Sequence, residues 1–325
     1  MKAWQVHQYG SPEEMTLDEV DKPSPGEGEV LIRNRAAGLN FFDILQAQGK
    51  YQSKPSFPFT IGGEVAGTIE AAGPGVGQWS PGGRVLCLTL GGGGYAEYSV
   101  AKAARAFPIP DGMGFEEAAA FPVVYQTSFF ALENRARLRQ DEWLLVHAGA
   151  SGVGMAAIQI GKAFGARIIA TAGSEGKLTF CRQLGADHAI NYRDETWVDQ
   201  VKQITGRGAD VIYDPVGGDV FDLSTKCIAP DGRLLVVGFA SGRIPSVAAN
   251  RVLLKNISIV GVFWGRHADE NHGYLSETHK TLTKLYQEGK INPLVSAKTP
   301  LAEAPAALRA LANRKVAGKA VLTMP

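Results

Sequence analysis

The sequence is poor in cysteine: Cys87, Cys181 and Cys227 lie far apart in 325 residues. Three scattered thiols exclude a disulfide scaffold and a cysteine-based metal motif, and they suit a reducing cytoplasm. Long hydrophobic runs are missing too. No apolar stretch reaches about 18 residues, so no membrane span is expected. The opening residues MKAWQVHQYG have no apolar core before a small-residue cleavage site, so no signal peptide is expected. An excess of one charge is also lacking. The net charge of +1 argues against nucleic-acid or acidic-membrane partners. The histidines, including His7, His147, His188 and His267, form no ligand-spaced cluster. There is no internal repeat and no low-complexity tail.

Glycine is abundant, with 39 residues, and implies many tight turns and close backbone approaches. With 45% apolar and 20% charged residues, the composition is that of a soluble globular protein. The length favours two domains. Residues 1 to about 122 read as short strands, such as EVLIRNRAAGL and EVAGTIEAAG, separated by DKPSPGEGE and GPGVGQWSPGG. One short helix, FFDILQAQG, interrupts them. This predicts a β-rich, folded-over barrel domain.

Residues 123–263 alternate strands and helices. The expected strands run from residues 143–148, 167–172, 188–191, 210–214, 234–238 and 257–262, with helices over 152–164 and 177–184 between them. Met155, Ile158, Gln159 and Lys162 at steps of three and four give the first helix one apolar and one mixed face. Six strands with helical crossovers predict a Rossmann-type, doubly wound parallel sheet. Residues 264–325 hold helices near 274–288 and 302–313 and a final short strand in GKAVLTMP. That strand needs a sheet to join, so this stretch is expected to return to the first domain. The fold class is thus α/β, a β-rich domain built from 1–122 and 264–325 around a Rossmann domain at 123–263.

The stretch WLLVHAGASGVG places Gly149, Ser151 and Gly154 at the three small-residue positions of a dinucleotide fingerprint. The first permits a tight turn, the second lets the backbone approach a pyrophosphate, and the third lets helix and strand pack closely. The amides of Gly152 and Val153, beside Ser151, would then face the anion from a helix N-terminus. A plain glycine-rich loop is the bland alternative, but the strand before and helix after favour the site. An NAD site wants an acid at the end of the second strand. That strand, RIIATAG, ends without one. Ser174, Lys177, Tyr192 and Arg193 follow instead, a set suited to a 2′-phosphate and hence to NADPH. Glu175 is the counter-argument. It could turn to a ribose, or it could be a first-turn acid favouring the helix dipole, with Ser174 as N-cap.

Taken together, AGLNFFDILQAQGKY, GGEVAGTIEAAGPGV, GGYAEY, HAGASGVG, INYRDE, YDPVGG, LLVVGFASG and GKAVLTM resemble the zinc-free quinone oxidoreductase branch of the medium-chain dehydrogenase/reductase superfamily. The resemblance covers essentially the whole chain. It implies a GroES-like β domain made from both chain ends, a Rossmann domain between them, and an active site in the cleft. It also implies a homodimer formed by the last Rossmann strand, residues 257–264. Pairing with its own copy would cover an apolar edge.

Zinc-dependent relatives place a cysteine near the GLN position and a histidine before the Glu of GGE. Here these are Asn40 and Gly63, neither a good zinc ligand. The four-cysteine lobe of those relatives is missing between RVLCLTL and GGGGYAEY. Glu64 remains, read as a domain-positioning partner. Without a Lewis acid, acceptors already activated for hydride are favoured: quinones, or alkenes conjugated to a carbonyl.

The resemblance implies roles for further residues. Asn40 would bond the cofactor ribose or orient a water, or simply cap its helix. Tyr51 would donate to the acceptor oxygen, or only pack. Thr127 would lie near the nicotinamide, and Phe263 would offer backbone groups to the carboxamide. Lys319 would approach the cofactor phosphates, or be an ordinary surface lysine. Val216, Phe239, Ala240 and Ser241 fall just beyond the fourth and fifth strands, where such sheets bind ligands. Phe41, Tyr125 and Trp264 could line an aromatic pocket or fill cores. Arg266 and His267 could edge a channel for enoyl thioesters. Gly83 replaces an acid usual before the arginine of GRV, with no expected effect on chemistry. The reading that follows is a zinc-free NADPH-dependent reductase of quinones. Its alternatives are a reductase of conjugated enones, enals or enoyl thioesters, and, from another class, a non-enzymatic NADPH- or RNA-binding protein.

Overall fold

The computed structural model describes residues 1–89, 92–271 and 273–325. Leu90 and Gly91, where the four-cysteine lobe of the zinc relatives would insert, lie outside them. The chain divides into two compact units. One comprises Met1–Val123, Gly273–Thr283 and Pro293–Pro325, the other Val124–His272 and Lys284–Asn292.

The first unit is built on a seven-stranded sheet. Its order is Val295–Pro300, Lys319–Thr323, Glu29–Gly38, Glu64–Ala72, Arg84–Leu88 and Ala106–Pro108, with Tyr98–Lys102 also paired to Glu29–Gly38. The long strand Glu29–Gly38 makes the fold-over. Its first half pairs antiparallel with Tyr98–Lys102, and its last three residues pair with Val321–Thr323. Val30, Leu31 and Ile32 are buried in succession, because both faces of this strand are covered. The C-terminal strand thus finds the sheet it needs, and the sheet gains Val295–Pro300, which the sequence pattern did not single out. Trp4 Nε1 donates to Leu301 O at 2.7 Å, tying the two chain ends into one core.

The second unit is a six-stranded parallel sheet whose spatial order is third, second, first, fourth, fifth, sixth in chain order. This is the Rossmann order, and the reversal between Trp143–Val146 and Ala209–Asp214 opens a crevice at the carboxyl ends of the strands. Both strands are wholly buried, as a sheet covered by helices on both faces requires. The helix Gly152–Ala163 has the apolar and mixed faces expected: Lys162 is exposed, but Gln159 on the mixed face is buried. The side chain of Gln159 is bonded in both directions to the Asn292 backbone, at 3.0 and 2.9 Å, and accepts from Tyr125 Oη at 2.7 Å. That covering segment explains why Lys284–Asn292 belongs to this unit, whereas residues 264–325 had been expected to return whole to the first. Residues 264–271 also stay here, with a helix Trp264–Glu270 that the sequence pattern did not indicate. Among the described residues no helix is long and apolar enough to cross a membrane.

Candidate active site

The glycine loop follows the buried strand Trp143–Val146. Packing demands its small residues: a Cβ on Gly154 would stand 2.2 Å from Ala148 O, and one on Gly149 would stand 2.9 Å from Ala170 Cβ. Ser151 caps the helix, its Oγ accepting from Gly154 N at 3.1 Å. The first-turn amides of Gly152 and Val153 have no partners within the helix, as at any helix start, and lie at the positive end of its dipole.

At the ends of the second and third strands, Tyr192 N donates to Ala172 O at 3.2 Å and brings the tyrosine over Gly173. Ser174 is the N-cap residue of Glu175–Gln183, but its exposed side chain makes no capping bond. Arg193 is exposed and Lys177 half-buried on the same end. Glu175 does not face them. Its carboxylate accepts from Arg182 at 2.8 Å along the helix, an exposed pair of little energetic weight.

The loops after the fourth and fifth strands are knitted together. Asp214 Oδ1 accepts from Val216 N at 2.8 Å and Gly217 N at 3.0 Å. Burial raises the Asp214 pKa, and these two amides oppose the rise. Ala240 N donates to Pro215 O at 3.1 Å and Ser241 N to Val216 O at 2.9 Å, so Val216, Phe239, Ala240 and Ser241 share one rim. Phe239 is partly exposed there, and Phe263 is exposed at the start of Trp264–Glu270. Ser128 Oγ donates to Val153 O at 3.1 Å and contacts Tyr213 Oη at 3.0 Å, which holds its neighbour Thr127 beside the glycine helix.

The first unit carries a second polar constellation. The helix Phe41–Ala47 starts at Asn40, whose backbone N donates to Asp43 Oδ2 at 2.8 Å. Asn40 Nδ2 donates to Glu64 Oε1 at 2.8 Å, and its Oδ1 accepts from Lys319 Nζ at 2.8 Å. Lys319 Nζ also reaches Glu64 Oε1 at 2.7 Å and Leu39 O at 2.7 Å. Glu64 Oε2 accepts from Val123 N at 2.8 Å. Lys319 and Glu64 are only 2% and 0% exposed.

Two expectations are corrected here. Lys319 is not a surface lysine. Nor is it available to a cofactor phosphate, because an ammonium has three donors and all three are engaged. The positions of the zinc relatives' ligands are also filled. A Cβ on Gly63 would stand 2.3 Å from Phe42 Cζ, and the cation beside Asn40 and Glu64 is the Lys319 ammonium. This donor set does not fit a metal ion. Among the described residues no group of three His, Cys, Asp or Glu could hold one.

Sequence reasoning missed Asp43. It is fully buried, and Oδ2 also accepts from Tyr95 Oη at 2.9 Å while Oδ1 has no partner. Burial pushes its pKa from 3.8 up to about 7, against the bonds from Asn40 and Tyr95 and the Lys319 charge. The available signal was an acid three residues after an asparagine at a helix start. Tyr51 is half-buried and packs on Phe42 with ring centroids 5.4 Å apart. Burial, then the Asp43 charge, raise its pKa. Its hydroxyl has no hydrogen-bond partner among the described residues. Of the aromatic candidates, Tyr125 is a core residue bonded to Gln159, Phe41 is exposed, and Trp264 is buried with Nε1 unpartnered. Arg266 is turned to Glu270 at 2.7 Å, and His267 stacks on Phe130 at 4.6 Å.

The chain matches the model of the alcohol dehydrogenase GroES-like domain over residues 26–111 and that of the zinc-binding dehydrogenase over residues 152–280. It is 36% identical over 323 residues to a quinone oxidoreductase of Pseudomonas aeruginosa, covering 99% of both chains. It is 37% identical over 308 residues to the quinone oxidoreductase-like protein 2 homolog of Nematostella vectensis, covering 94% of this chain and 84% of that protein. The crystal structure of Escherichia coli quinone oxidoreductase complexed with NADPH superposes with a TM-score of 0.94 at 31% identity, covering 100% of each chain. With its GroES-like and Rossmann units and an asparagine and a glycine at the metal-ligand positions, the chain belongs to the zinc-independent quinone oxidoreductase branch of the medium-chain dehydrogenase/reductase superfamily and is an oxidoreductase.

Proposed function

We propose that this protein is an NADPH-dependent quinone reductase. The observation that carries the cofactor half is the set Ser174, Lys177, Tyr192 and Arg193 at the ends of the second and third strands. Cations and hydroxyls there suit a 2′-phosphate, and the one acid beside them, Glu175, is paired along its helix with Arg182. The first-turn amides at Gly152 and Val153 suit the pyrophosphate. Thr127, Val216, Phe239, Ala240, Ser241 and Phe263 are assigned to the remainder of the cofactor. When bound, NADPH supplies the hydride; quinone, hydride and one solvent proton balance to the hydroquinone. The chain's own residues have then to orient the acceptor and exclude water. Among the described residues Asn40 Nδ2 has one partner, Glu64 Oε1, and we assign its second hydrogen to an acceptor oxygen. Tyr51, with its unpartnered hydroxyl, is assigned as a second donor.

Quinones are placed before enoyl thioesters because relatives covering nearly the whole chain are named quinone oxidoreductases. Conjugated enones share the same hydride chemistry and form the second acceptor class. We also assign a homodimer through the outermost strand Ser258–Gly261, shorter than the 257–264 stretch expected. The helix leading into it exposes Leu253 and Leu254 at 73% and 78%, a liability that a second copy would cover. The three thiols are free and buried, which supports assignment to the reducing cytoplasm.

The test follows NADPH absorbance in EDTA with a benzoquinone, a naphthoquinone, an enone and an enoyl thioester, alongside NADH and no-enzyme controls. EDTA-insensitive turnover of a quinone with NADPH preferred over NADH is expected. Preference for NADH, or turnover confined to the thioester, would reject the assignment.

A further inference from the structure

The Asn40 amide sits against an ion pair with an opposite charge at each of its two ends. Its Nδ2 donates to Glu64 Oε1 at 2.8 Å, and its Oδ1 accepts from Lys319 Nζ at 2.8 Å. Turning the amide over would set its N–H against the ammonium and its oxygen against the carboxylate. Both charges are buried, so that mismatch would act in a low dielectric, where it costs most. Neither charge is free to move. The other two donors of Lys319 go to Leu39 O and Glu64 Oε1, and Glu64 Oε2 holds Val123 N. The Asn40 backbone is held in turn by Asp43 Oδ2 at 2.8 Å.

We infer that Glu64 and Lys319 are positioning residues for the reaction, which act by locking Asn40 in one amide orientation so that its remaining Nδ2 hydrogen is aimed at an oxygen of the acceptor. This rests on the assignment of Asn40 to the acceptor. A buried ion pair adds little net stability compared with apolar residues of the same volume, so its use here is directional. An amide left to rotate would offer an oxygen lone pair as often as a hydrogen to the same acceptor.

The test compares Asn40→Ala, the paired variant Glu64→Gln/Lys319→Met, and all three substitutions together in the full-length protein. The paired variant removes both charges, because removing one alone would leave the other buried and uncompensated. NADPH dissociation constants are read by fluorescence, and kcat and KM by NADPH oxidation with benzoquinone. Asn40→Ala is expected to lower kcat/KM for the quinone at least about tenfold with the NADPH dissociation constant within threefold of wild type. The paired variant is expected to do the same. The triple variant should lose no more than about twofold beyond Asn40→Ala, because the pair acts only through that side chain. Losses that multiply in the triple variant would mean a general structural role and overturn the inference. So would wild-type kcat/KM in the paired variant while Asn40→Ala is impaired. Wild-type turnover in Asn40→Ala would reject the assignment of Asn40 itself, a separate outcome. If the methionine variant fails to bind NADPH, Glu64→Gln/Lys319→Gln, which keeps hydrogen-bonding groups at both sites, enters the same comparison with the same criteria.

Discussion

Tyr192 occupies the space that a side chain on Gly173 would need: a Cβ there would stand 2.7 Å from the phenol oxygen. The bare strand end lets the hydroxyl reach over it, next to the Ser174 cap and the helix that carries Lys177. A small residue on one strand and a long polar one on the next thus build one surface, though neither reads as functional alone.

Selectivity between cofactors should depend on that surface. Lys177→Ala and Arg193→Ala are each expected to raise KM for NADPH about tenfold, roughly 1.4 kcal/mol, the scale of one charge-assisted hydrogen bond. Gly173→Ala should act in the same direction by displacing Tyr192. NADH kinetics should change less than about twofold. Equal losses with both cofactors would detach these residues from the 2′-phosphate.

The glycine loop should tolerate no added methyl at its last position. Gly154→Ala would press Cβ against Ala148 O, a backbone atom that cannot swing aside. A stability loss of about 1–3 kcal/mol is expected, with NADPH binding weakened further. Calorimetry and fluorescence titration would read both. An alanine variant with wild-type stability would show that the strand and helix can separate at no cost.

Acid should act on stability through opposing groups. Burial drives the His147 pKa from 6.5 down to about 3, its ring held between Thr171 and Ser224. Burial likewise lowers His279 to about 4, against the bond to Pro108 O. Between these values and 6.5 the unfolded chain takes up protons that the fold refuses. Their contribution is therefore complete above about 6.5 and is lost as pH falls. Asp43 has the other sign. With its pKa raised to about 7, the fold holds a proton that the unfolded chain has released, so this group lowers stability as pH rises from about 4 to 7. Denaturant titrations across this range should show Asp43→Asn removing the falling component and His147→Gln reducing the acid loss. Superimposable pH profiles for wild type and either variant would contradict the respective shift.

The homodimer proposed above should be separable from folding. Leu254 is exposed within its own chain, so Leu254→Asp should change monomer stability by no more than about 0.5 kcal/mol. Light scattering should find wild type at twice its 34.6 kDa chain mass and the variant at the chain mass. A variant that stays dimeric would move the interface elsewhere.

Much of this architecture was legible in the residues because its signals are local. The apolar run WLLV, the glycines after it and the alternation of strand and helix depend on neighbours in sequence, and they pointed to a parallel sheet with a nucleotide-binding turn. The replacement of metal ligands by Asn40 and Gly63 was likewise visible by position. What the linear pattern could not reveal was which charges meet. Lys319 stands 255 residues from Glu64 and 279 from Asn40, and only the pairing of the last strand with Glu29–Gly38 brings its ammonium to them. Glu175 shows the same limit at short range: the sequence allowed it to serve a ribose or a helix dipole, and in the fold it pairs with Arg182 on the exposed side of its helix. The covering of Gln159 by Asn292, which moved a segment from one unit to the other, joins residues 133 apart. Local propensity and periodicity determine which elements form. Burial of charges and amides far apart in the chain is decided by the sheet that gathers them, because a buried polar group must find its partner wherever the fold supplies one.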